Sequence, residues 1–248
     1  MQKLSVIIPA FNEQDRIKKT LLEVSEFLKN QSFAYEIIVV NDGSKDKTVE
    51  VVQSLARDLS NIQVLDLITN YGKGYAVKAG MLKGSGDARL FMDADNSTSI
   101  TNLNKMLPLL GNKAQVIIGS IEAPGAKINE RAQWYRRLLG HWSKYLIRAV
   151  AGLWNIKDTQ RGFKLFTGLA ADEIFQRQTL TGFGFDIEVL AIAKTLNYKI
   201  LELPVVWDNP PGSTLKLKNY LDVLLDLFVV RFKLWSKAYN QKYTNKSR

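Results

Sequence analysis

Cysteine is absent from this 248-residue chain, which excludes disulfides, thiolate zinc sites and a cysteine nucleophile. Histidine is nearly absent: His141 stands alone, which argues against a multi-histidine metal centre or a chymotrypsin-like triad. Charge-free apolar runs of spanning length, roughly 18 residues or more, are missing too. The nearest approach, Leu221–Phe232, is interrupted by Asp222, Asp226 and Arg231. The first residues read as a strand rather than a signal peptide. A cytoplasmic protein is therefore expected, one able to touch a membrane without crossing it. Acidic residues are outnumbered by basic ones, 24 against 34, and the resulting +10 implies an anionic partner: a nucleotide, nucleic acid or a phospholipid surface. Linkers, repeats and low-complexity stretches are not found, so one domain with a terminal extension is the economical organisation.

What is present is an alternation of strand and helix patterns through the first half. Leu4–Ile8, Ile37–Val40, Ile62–Leu65, Leu90–Met92 and Val116–Ile118 read as buried strands. Between them, Ile17, Leu21, Val24 and Leu28, and later Val49, Val52, Ala56 and Leu59, recur at helical spacing. Such alternation predicts an α/β fold, a mostly parallel Rossmann-like sheet with helices on both faces. Polar residues cluster just past the strand ends: Asn12 and Glu13, Asp42, Asp93 and Asp95, and Ser120. In an open parallel sheet those ends share one edge, where ligands bind.

Asp93-Ala94-Asp95 carries the most specific chemistry. If extended geometry persists, both carboxylates point the same way, and two hard oxygen ligands suit Mg²⁺ or Mn²⁺ shared with substrate phosphates. A helix cap and turn is the competing explanation. Asn70-Tyr71-Gly72-Lys73-Gly74 can bring backbone N–H groups and an ammonium to a phosphate, or be a plain glycine turn. It is not a nucleoside-triphosphatase loop, and Pro9–Glu13 lacks the dinucleotide glycine fingerprint. Arg131, Arg136 and Arg137 either clamp phosphate or line a solvated helix face. Asp186 and Glu188 either cap their own helix or, for Asp186, reach the site. In the last helix, Leu221, Leu224, Leu225, Phe228, Phe232 and Trp235 form a stripe expected to pack on the domain. The flanking Lys216, Lys218, Arg231, Lys233 and Lys237 also fit an anionic membrane surface. No nucleic-acid module is recognisable.

Taken in order, Val6–Glu13, Val40–Ser44, Asn70–Ala76, Met92–Asp95, Ile118–Ser120, Trp134–Arg136, Asp158–Phe166, Phe185–Glu188 and Glu202–Val205 resemble the family 2 glycosyltransferases of GT-A fold. The resemblance is greatest to the enzymes that glucosylate or mannosylate dolichyl and other polyprenyl phosphates, and Asp158–Phe166 leans to the glucosyl branch. It implies a GT-A domain over 1–215, with 216–248 as an amphipathic basic helix and tail. It also implies a metal-dependent, inverting hexosyltransferase on the cytoplasmic face of a membrane. The donor is a nucleotide sugar of UDP-glucose or GDP-mannose type, the acceptor a polyprenyl phosphate; a glycan hydroxyl is the alternative acceptor. By the same resemblance Pro9, Ala10, Asn12, Glu13, Asp42, Lys73, Asp93 and Ala94 bind the donor, Glu13 at the ribose and Asp42 at the base. Asp93 and Asp95 hold the metal, Arg131, Arg136 and Arg161 contact phosphates, and Asp158 is the catalytic-side carboxylate. Two departures stand out: Ile121 sits where an arginine usually follows Gly119-Ser120, and the transmembrane helices of many relatives have no counterpart. Nucleotidyl transfer and a non-enzymatic basic adaptor are the readings from other classes.

Overall fold

The structure is a computed structural model that describes residues 1–128, 145–208 and 217–241. In chain order the first half runs β1 (Lys3–Ala10), α1 (Ile17–Lys29), β2 (Ala34–Asp42), α2 (Thr48–Asp58), β3 (Ile62–Leu67), α3 (Lys73–Lys83) and β4 (Ala88–Met92). A short α4 (Leu103–Met106) leads to β5 (Val116–Ser120) and β6 (Lys127–Ile128). After helical residues 145–151 (α5) come β7 (Phe163–Thr167), α6 (Gly168–Arg177), α7 (Phe185–Thr195), β8 (Ile200–Pro204), β9 (Val206–Trp207) and α8 (Leu217–Trp235).

Seven strands form one sheet in the order β3-β2-β1-β4-β7-β5-β8, while β6 and β9 pair separately. Alternate residues of each strand feed opposite faces. Ile7, Val40, Phe91, Ile118 and Phe166 pack with α3, α6 and α7 on one side. Val6, Ile8, Val39, Leu90 and Leu165 pack with Ile17, Leu21, Val24 and Leu28 of α1 on the other. Both faces are covered, which is why these strands read as continuous apolar runs rather than alternating ones. Leu21, Val24 and Leu28 are fully buried, and truncating any one to alanine is expected to cost about 2–5 kcal/mol.

The sheet is mostly parallel, as the alternation predicted, and its exception is β7. It is antiparallel to both β4 and β5, with Phe91 opposite Lys164 and Met92 opposite Phe163. An antiparallel strand begins where its neighbour ends, so the segment 158–162 that precedes β7 arrives beside Asp93. Leu103, Met106, Leu107 and Leu110 stand at helical spacing, yet the segment is broken into short 3-10 and α pieces, with Pro108 in the last. The apolar run from Ile200 to Val206 is split, β8 ending at Pro204 and β9 starting at Val206.

The last helix also departs from expectation. Among the described side chains of this helix, Leu227 and Val230 are buried. Of the stripe expected to pack on the domain, Leu224 does pack against the core, whereas Leu225, Phe228, Phe232 and Trp235 face outward. The helix has two apolar faces, and the sequence pattern alone does not rank them.

Candidate active site

Four strand ends build the site. At the end of β1, Pro9 and Ala10 are buried, and Asn12 adopts the left-handed conformation with φ 55°. Its N–H donates to Ser44 Oγ (2.9 Å) and its Oδ1 accepts from Lys45 N–H (2.9 Å), tying the loops after β1 and β2 together. Asparagine tolerates that backbone region better than most residues. Glu13 N–H donates to Thr48 Oγ1 at 2.8 Å, and its carboxylate is gripped by Arg16 at 2.8 Å through both Nε and Nη2. Burial raises the Glu13 pKa; Arg16 opposes this, while Asp95 and Asp93 add to it. Asp42 ends β2, with one oxygen accepting from Tyr71 N–H (2.8 Å) and the other from Gly72 N–H (2.9 Å). It thus shapes the glycine loop from below. Gly72 has φ 99°, and a Cβ there would stand 2.5 Å from Thr181 O, so only glycine fits.

At β4 the strand stops at Met92, and residues 93–96 turn, with Asn96 N–H donating to Asp93 O at 3.4 Å. Asp93 and Asp95 are therefore linked by a turn, not by the extended geometry that the spacing suggested. Asp93 accepts from Lys73 Nζ at 2.6 Å. Its carboxylate lies against Gly162, where a Cβ would come within 2.0 Å of Oδ2. Asp95 Oδ1 accepts from Ser97 N–H at 2.9 Å, Ala94 O accepts from Thr20 Oγ1 at 2.7 Å, and Asn96 reaches Glu23. Among the described residues no three His, Cys, Asp or Glu side chains are placed to hold a cation by themselves. A cation here would take one or two carboxylates and complete its shell from substrate and water. Mg²⁺ and Mn²⁺ bind in that way, so the donor set fits.

Behind Asp93 runs a ladder of charges that becomes buried at Asp186 and Lys164. Burial opposes the charge on Lys73, but Asp93 and Asp186 outweigh it and raise its pKa. Asp186 is in turn paired to Lys164, which is 1% exposed and donates to Arg161 O at 2.6 Å. Burial raises the Asp186 pKa, with Lys164 and Lys73 pulling it down. The Lys73 and Lys164 ammoniums lie 5.5 and 5.7 Å from the Phe91 ring centroid. Asp186 therefore pairs with Lys164 behind Asp93 rather than capping α7. Glu188 does not cap it either: it accepts from Thr179 N–H, Leu180 N–H and Tyr239 Oη and pairs with Lys233. Lys164 escaped sequence reasoning; its one signal was a lone charge inside the strand pattern Phe163–Phe166.

Asp158 and Arg161 enter from the segment before β7. Asp158 Oδ2 accepts from Ile121 N–H at 3.1 Å and pairs with Arg161 Nε at 3.5 Å. Glu202 of β8 receives the Lys157 and Asp158 N–H groups (3.0 and 2.7 Å), fixing that segment. Arg161 Cζ stands 4.7 Å from the Trp207 ring centroid. Ile121, which replaces the expected arginine, contributes only its backbone. Ser120 is buried, and its Oγ accepts from Glu122 and Ala123 N–H. Gly162, Glu202 and Trp207 had no role assigned from sequence. Arg131, Arg136, Arg137 and His141 lie outside the described residues.

The chain is similar, from residue 5 to 175, to the family model described as glycosyl transferase family 2. Dolichyl-phosphate beta-glucosyltransferase ALG5D of Trichomonas vaginalis is 37% identical to it, covering 94% of this chain and 75% of that protein. The Drosophila melanogaster dolichyl-phosphate beta-glucosyltransferase is 36% identical (92% and 74%), and that of Homo sapiens 30% (99% and 80%). Among solved structures, glucosyl-3-phosphoglycerate synthase from Mycobacterium tuberculosis, in complex with Mn²⁺, UDP-glucose and phosphoglyceric acid, superposes with a TM-score of 0.68. It shares 18% identity, over 94% of this chain and 79% of that one, and supports the GT-A fold. A parallel-dominated sheet, an acidic pair at the end of β4, and these likenesses agree: the chain belongs to glycosyltransferase family 2.

Proposed function

We propose that this protein transfers glucose from a nucleotide sugar to dolichyl or another polyprenyl phosphate, with inversion at the anomeric carbon. The observation that carries this reading is the likeness, over nearly the whole chain, to relatives named for that glucosyl transfer. The strand-end geometry is compatible with the following roles. Pro9, Ala10, Asn12, Glu13 and Asp42 cradle the nucleoside, Glu13 facing the ribose and Asp42 keeping lone pairs for the base. Lys73 exchanges Asp93 for the donor's diphosphate. Asp93 and Asp95, with Ala94 between them, hold Mg²⁺ or Mn²⁺. A divalent ion bound there supplies positive charge to the departing nucleoside diphosphate. Lys73 and Arg161 add fixed cations at the same leaving group or at the acceptor phosphate, with Arg131 and Arg136 as further phosphate contacts. An acceptor phosphate oxygen is already anionic and needs no strong base. Asp158, engaged with Ile121 N–H and Arg161, orients the arginine and need not take a proton.

The second part of the proposal concerns α8. Among the described residues no helix is long and apolar enough to cross a membrane. Leu225, Phe228, Phe232 and Trp235 nonetheless leave an apolar-aromatic face in the open, with Arg231 and Lys237 exposed beside it. A patch of that kind marks an interaction site, and residues 216–248 are read as a peripheral contact with an anionic, cytoplasm-facing membrane surface, where the lipid acceptor resides. Lys233 is not part of that contact, being turned inward to Glu188.

The test is incubation of the full chain with labelled UDP-glucose or GDP-mannose, with and without polyprenyl phosphate, in Mg²⁺ or Mn²⁺. Label in the lipid fraction that depends on polyprenyl phosphate is the expected result. Transfer to a glycan hydroxyl and none to lipid would overturn it.

A further inference from the structure

Trp207 is tied to both halves of the site. Its backbone pairs with Ile128 in the β6–β9 ribbon and bridges Thr98, and the following N–H, from Asp208, donates to Ser97 O at 2.9 Å. Those contacts anchor it to the turn that carries Asp95. Its ring meanwhile lies 4.7 Å from Arg161 Cζ, while Asp158 Oδ2 holds Arg161 Nε at 3.5 Å. The guanidinium is therefore held on one face and at its Nε side. Among the described residues neither Nη atom has a hydrogen-bond partner. The ring is thus presented to a cation that a carboxylate holds from another side.

We propose that Trp207 is a positioning residue that acts through Arg161. Its ring and Asp158 together orient the guanidinium so that the paired Nη edge receives the acceptor's phosphate. This rests on the lipid-phosphate reading above. The fork of an arginine matches two phosphate oxygens only when the plane is correctly turned, and stacking sets that plane. Stacking on a cation depends on the electron density of the ring, not on its volume.

That dependence supplies the test. In the full chain, position 207 is occupied by tryptophan, by mono-, di- and trifluorotryptophan introduced site-specifically, and by W207F and W207L. KM for polyprenyl phosphate, KM for the nucleotide sugar and kcat are measured for each. The acceptor KM is expected to climb stepwise with fluorination to about tenfold, with W207F milder than W207L and the donor KM unchanged. Equal acceptor KM across the fluorinated series overturns the proposal and leaves Trp207 a packing residue. A rise in donor KM instead assigns the Arg161 edge to the donor diphosphate and also overturns it. Wild-type enzyme that does not glucosylate polyprenyl phosphate at all identifies a different failure, that of the underlying reading.

Discussion

Lys73 and Asp93 are bound to one another at 2.6 Å, joining the first residue of α3 to the residue that follows β4. The lysine occupies the carboxylate that the proposed metal requires, so cation and ammonium compete for Asp93. In K73M, Mn²⁺ without nucleotide is expected to bind about three- to tenfold more tightly, read by electron paramagnetic resonance of the free ion. Sugar transfer should fall about 100-fold in the same variant, because a fixed cation at the diphosphate is gone. Unchanged Mn²⁺ affinity would remove Asp93 from the metal's ligands.

The buried Lys164–Asp186 pair offers a stability prediction. Breaking a buried pair leaves one charge stranded, at a cost of about 3–5 kcal/mol. K164M should unfold at correspondingly lower urea concentration, and K164M/D186L should regain at least half of the loss. If the double variant were no better than the single one, the pair would not be the source of the destabilisation.

The outer face of α8 can be stripped without touching the core, since Phe228, Phe232 and Trp235 are 71%, 63% and 77% exposed. F228S/F232S/W235S is expected to keep its folding stability to within about 0.5 kcal/mol. Its sedimentation with phosphatidylglycerol-containing vesicles should weaken at least about tenfold. Undiminished pelleting of a folded triple variant would move the membrane contact elsewhere.

Glu36 makes acid stability predictable. Partial burial pushes its pKa up, but hydrogen bonds from Ser5 and Ser85 and the Lys3 ammonium prevail, and the value falls to about 2. A carboxylate depressed in the folded state stabilises above its unfolded pKa, and that contribution is lost as pH falls through the folded value. Between about pH 5 and 2 the wild type should therefore lose about 1–2 kcal/mol at this site, after allowance for solvent screening. E36Q should be less stable than wild type at pH 7 and match it near pH 2 in urea titrations.

Much of this architecture is written locally. The apolar runs of β1, β2 and β4 and the period of α1 and α2 depend on neighbours only a few residues apart, and they appear where the pattern puts them. The edge that gathers Asn12, Glu13, Asp42 and the Asp93–Asp95 turn follows from strand direction alone. Lys164 and Trp207 were invisible for the opposite reason. Their partners, Asp186 and Arg161, are 22 and 46 positions away in sequence and meet them only once β7 reverses direction and β9 closes over Ser97.

The sequence by itself determined the α/β class, the acidic and glycine-rich strand ends, and the family resemblance, because periodicity and turn chemistry are properties of short stretches. It took tertiary packing to pair Lys73 with Asp93 and to bury Asp186 against Lys164. That packing alone left Leu225, Phe228, Phe232 and Trp235 of α8 exposed. Those outcomes depend on which elements pack face to face, and burial turns a side chain's charge from an ornament of the surface into a constraint on its neighbours.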